Sequence, residues 1–60
     1  MSSVYNPESD TKAEIERLEL AVRDTRRRQQ QARSPEDKRV LARQIDELNQ
    51  RVAFLRNQLP

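Results

Sequence analysis

Side chains able to carry covalent or acid–base chemistry are few in this chain. There is no cysteine and no histidine, which removes the thiol nucleophile, the base that titrates near neutral pH and the usual zinc ligands. The serines are Ser2, Ser3, Ser9 and Ser34, and nothing supplies a base to activate them. Ser34 is better employed as a helix cap, because a proline and two acids follow it. Glu16 and Glu19 share a helical face and Asp46 adjoins Glu47, but carboxylates alone on exposed helices are solvating charges. No catalytic, metal-ligating or cofactor-binding residue is assigned. The expectation is a protein that is not an enzyme, with no cofactor and no small-molecule ligand, since a two-helix body offers no concave pocket of the usual size.

One segment does carry chemistry, TRRRQQQARSPEDKR from Thr25 to Arg39. Between Arg23 and Arg43 the bases are Arg23, Arg26, Arg27, Arg28, Arg33, Lys38, Arg39 and Arg43, and the acids are Asp24, Glu36 and Asp37. Eight bases against three acids leave a local charge of +5, while the whole chain carries only +2. Guanidinium groups pair with phosphate or carboxylate oxygens. Arg23 and Arg27 are four residues apart, as are Arg39 and Arg43, so a basic edge could follow a phosphate backbone. Arg23, Arg26, Arg27, Arg33, Arg39 and Arg43 are the candidate contacts for a nucleic acid or an acidic protein. Against a nucleic-acid grip, the segment has no aromatic to stack on bases and no glycine-rich phosphate cradle. Arginine is also a strong helix former. Glu19–Arg23, Asp24–Arg28 and Glu47–Arg51 have the acid-first spacing that adds a few tenths of a kcal/mol each. A solvated helix tip is the simpler reading, and nucleic-acid binding the alternative.

The elements that would position these charges follow from hydrophobic spacing. Ile15, Leu18, Val22, Thr25, Gln29 and Ala32 follow a 3,4 repeat that fades from apolar to polar, and Leu41, Ile45, Leu48, Val52, Leu55 and Leu59 follow the same repeat without fading. Ile15 and Ile45 occupy equivalent positions but stand four heptads plus two residues apart. Two residues rotate a helix by about 200°, so one unbroken helix would put the stripes on opposite sides. The break belongs at Ser34-Pro35-Glu36-Asp37, an N-cap, a proline at the first helical position and acids in the first turn. Thr11 and Glu14 have the spacing of a capping box for the first helix.

The sequence thus predicts an all-α fold: an antiparallel, coiled-coil-like two-helix hairpin with a helix over 11–32, a turn at 33–34 and a helix over 35–59, preceded by a flexible tail over 1–10. Facing positions then sum to 70, pairing Ile15 with Leu55, Leu18 with Val52, Val22 with Leu48, Thr25 with Ile45 and Gln29 with Leu41. The absence of glycine is the one feature that resists, because helices commonly end on a left-handed glycine.

At 60 residues, a lone hairpin leaves its seam half exposed, and so small a body needs a staple or a partner. Without cysteine or histidine the staple is expected to be protein: a second copy, or docking on a larger assembly. Leu20, Val40 and Phe54 lie outside the seam and are the candidate partner-binding residues. The expected role is structural or adaptor, mediating protein–protein assembly as a homo-oligomer or as a small subunit or co-chaperone of a larger complex, a virion component among the options. The alternative is a small nucleic-acid-binding regulator that uses the basic tip. No apolar run approaches the ~18 residues of a membrane span, and MSSVYNPESD lacks the layout of a secretory leader. The expected location is therefore cytoplasmic, or in a virion if the chain is phage-encoded.

Overall fold

The computed structural model describes residues 7–60. Two helices, α1 (Pro7–Gln31) and α2 (Pro35–Asn57), pack against each other as an antiparallel hairpin. The body is a single layer of helices, 11 Å in its thinnest dimension.

Each helix opens with the same grammar. Pro7 begins α1 with Glu8 and Asp10 in its first turn, and Pro35 begins α2 with Glu36 and Asp37. Proline there forfeits only an N–H that has no helical partner, and the acids meet the positive end of the helix dipole. Ser34 caps α2 from extended backbone (φ −94°, ψ 138°), its Oγ accepting from the Glu36 N–H at 3.1 Å. The expected start of α1 at residue 11 is corrected. Residues 7–10 are helical, and the Thr11 hydroxyl donates back to the Pro7 carbonyl at 2.8 Å, so it does not cap Glu14. Pro7 with its two acids is itself a start signal, stronger than the Thr11 box. The part of the expected tail over 1–6 lies outside the described residues.

The helix ends also fall short of the expected ones, α1 stopping at Gln31 and α2 at Asn57. Leu59 precedes Pro60, whose ring disfavours helical backbone in the residue before it. The chain therefore closes with a turn in which the Gln58 and Leu59 N–H groups donate to the Leu55 and Arg56 carbonyls. The connection between helices needs no glycine: no described residue has positive φ. The Ala32 N–H donates to the Gln29 carbonyl at 3.2 Å, after which the backbone extends into Ser34. Gln29 Nε2 also reaches across the bend to the Lys38 carbonyl at 3.3 Å.

The core sits away from the turn. Ile15, Val52 and Leu55 form a buried cluster with Leu18 and Leu59 packed on it, and Val22 is buried further along α1. Toward the turn the seam residues Thr25, Gln29, Leu41, Ile45 and Leu48 are only half-buried. Thr25 tolerates its seam position because its hydroxyl donates to the Ala21 carbonyl at 2.7 Å.

Candidate interaction surfaces

Among the described residues two ion pairs tie the helices together, and they define the two sides of the layer. Arg51 meets Glu14 at 3.6 Å, and Arg56 meets Glu19 at 2.6 Å. Glu14 and Glu19 are five residues apart, which turns α1 by about 140°, and Arg51 and Arg56 stand in the same relation on α2. The bridges therefore flank the seam, one on each side. They replace two of the three expected intrahelical pairs: only Asp24–Arg28 forms, at 3.2 Å. Antiparallel packing brings an acid of one helix beside an arginine of the other, and this leaves Arg23 and Glu47 without the partners that the i,i+4 spacing proposed.

The Glu14–Arg51 side is apolar between its charges. An open cleft of about 320 Å³ is lined by Leu18, Gln44, Glu47, Leu48 and Arg51, and the Arg51 guanidinium lies 5.6 Å from the centre of the Phe54 ring. Nearer the turn, a second cleft of about 350 Å³ is lined by Arg28, Gln31, Ala32, Asp37, Val40 and Leu41. Val40 and Phe54 are separated by two heptads, so they fall on one line along α2. Both are more than half exposed, at 56% and 53%.

Leu20, 60% exposed, is not on that side. It sits among Glu16, Glu19 and Arg23 on the outer surface of α1. The sequence places Leu20 and Phe54 in the same half of the hairpin, but the fold does not bring them into one patch.

The candidate arginines are all exposed. Arg23 and Arg26 share the cleft on the Glu19–Arg56 side with Val22, Asn49 and Val52. Arg33 lies in the connection and Arg39 in the opening turns of α2, while Arg27 and Arg43 lie one and two turns further from the bend. Among the described residues none of these six makes an ion pair. They are spread along the half of the hairpin nearer the turn, and Asp24 is engaged by Arg28. What sequence reasoning missed are the two bridges across the seam. The signal that could have found them is the set of positions flanking the repeat, where antiparallel helices exchange charges.

No group of His, Cys, Asp or Glu side chains that could hold a metal occurs among the described residues, and no helix there is long and apolar enough to cross a membrane. The chain is an antiparallel helical hairpin of coiled-coil type. No family model matches it, and neither do the curated proteins or the solved structures with which it was compared.

Proposed function

We propose that this chain is a non-enzymatic assembly protein, a helical hairpin whose unfinished core is completed by another protein surface. It acts as a homo-oligomer or as a small structural or adaptor subunit of a larger complex, in the manner of a co-chaperone or a virion component. The observation that carries this reading is the half-buried run Leu18, Leu41, Ile45 and Leu48 together with exposed Val40 and Phe54. A layer one helix thick can bury its seam from two directions only, so apolar surface stays in water until something covers it. Sedimentation equilibrium, read alongside thermal unfolding, tests the idea. A cooperatively folded monomer at micromolar concentration, unaltered by Phe54→Ala, would remove it.

A second reading is supported by the arginines. Six exposed guanidinium groups in the turn half of the hairpin, none of them paired with a carboxylate among the described residues, suit a phosphate backbone, and this would make the protein a small nucleic-acid-binding regulator. Filter binding with generic RNA and DNA at low and moderate salt tests it. Replacing Arg26, Arg27 and Arg39 by glutamine should abolish retention without changing helicity, and wild-type affinity should fall steeply with salt. No retention at low salt excludes this reading.

A further inference from the structure

The charges of the Glu14–Arg51 side are arranged to match themselves. Glu14, Ala21 and Arg28 follow one another at heptad intervals, so they form one line along α1. The Glu14–Arg51 bridge fixes that line on the side that bears Phe54. If a second copy is laid on this side end for end, about a two-fold axis passing Ala21, Glu14 of each copy lies over Arg28 of the other. Ala21 then meets Ala21, where small side chains let the helices approach.

The same axis crosses α2 near position 49, because the two interhelical ion pairs lie evenly about positions that sum to 70. Glu47, which has no ion-pair partner among the described residues, then faces Arg51 of the second copy. Phe54 falls over Gln44, at the mouth of the cleft formed by Leu18, Gln44, Glu47 and Leu48. Every contact off the axis occurs twice, as a two-fold interface requires.

We infer that the protein pairs with a second copy of itself through this side, as an antiparallel four-helix dimer in which each Phe54 enters the other copy's Leu18–Leu48 cleft. Two helices about 10 Å across and about 35 Å long present roughly 700 Å², close to the ~800 Å² that each partner gives to a standard interface. The inference rests on the assembly reading and names its partner.

The chain has no cysteine, so one introduced thiol is an unambiguous reporter. Expected are a mass of two chains at micromolar concentration and covalent dimer formation by Ala21→Cys under mild oxidation, with helicity unchanged. Glu47→Arg and Arg51→Glu, each alone, set like charges against each other across the axis and should weaken association by roughly tenfold or more. Mixed in equal amounts, the two variants should pair again, since each supplies the charge the other lacks.

A dimer in which Ala21→Cys stays uncross-linked and the mixed charge variants do not recover overturns the inference while leaving the assembly reading intact. A monomer that melts weakly and without cooperativity also overturns self-pairing, and points assembly at a different protein. A cooperative monomer indifferent to Phe54→Ala overturns both.

Discussion

Ser34 decides where the chain turns, and it does so with two hydrogen bonds and one backbone conformation. Its Oγ accepts from the Glu36 N–H, and its carbonyl accepts the Lys38 N–H at 3.1 Å as the first bond of α2. Ser34→Ala keeps the backbone bond and loses the cap, so it should lower stability by about 0.5–2 kcal/mol in urea unfolding. A change below a few tenths would mean that Pro35 and the acids alone start the helix. The cap, Pro35 and the acidic first turn were legible in the sequence because each acts within four residues. The Glu19–Arg56 bridge was not, since Glu19 has a nearer arginine in Arg23 and only the packed partner helix offers a better one. Both side chains of that bridge are about half exposed. Its coupling in a double-mutant cycle with Glu19→Gln and Arg56→Gln should be only ~0.2–1 kcal/mol despite the short contact, because water screens it and two long side chains must be held still.

Between the two elements, burial is graded along the seam. Leu55 is 4% exposed and belongs to the buried cluster, while Leu41 is half-buried at the turn end opposite Gln29. Truncating a buried leucine to alanine costs about 2–5 kcal/mol, and truncating a half-buried one removes proportionally less apolar surface from the core. Leu55→Ala should therefore abolish the cooperative transition of so small a hairpin, while Leu41→Ala should leave a folded chain with a lower midpoint. Circular dichroism during thermal unfolding distinguishes them, and equal losses would mean that the turn half is packed as tightly as the base. The phase of the two repeats was enough to read the hairpin, since a two-residue offset sets the two stripes on different sides of one unbroken helix. What the repeat could not give is the gradient, because a 3,4 spacing marks the side of a helix that turns inward and not how much covers it. The early start of α1 was legible too, in Pro7, Glu8 and Asp10, but reads as tail when Thr11 and Glu14 are weighed as the cap.

At the scale of the molecule, the two sides of the layer differ in kind, and Leu20 and Phe54 report the difference. Both are large, apolar and more than half exposed, so exposure alone predicts that a polar substitution should be equally mild at either position. Leu20 stands on the outer surface of α1 among Glu16, Glu19 and Arg23, and Phe54 stands beside Arg51 on the side with the apolar clefts. If the apolar side is covered by protein, Phe54→Ser removes an aromatic anchor from a desolvated contact, where single aromatic truncations commonly cost ~2 kcal/mol or more of association. Leu20→Ser should change stability by no more than about 0.5 kcal/mol, as surface substitutions do. The melting midpoint should rise with protein concentration for the wild type and for Leu20→Ser, because association stabilises only the folded chain. For Phe54→Ser that dependence should weaken, and the midpoint should approach the value the other two reach on dilution. Scans across a hundredfold concentration range decide between the outcomes. If Leu20→Ser flattens the dependence and Phe54→Ser preserves it, the contact lies on the outer surface of α1 instead.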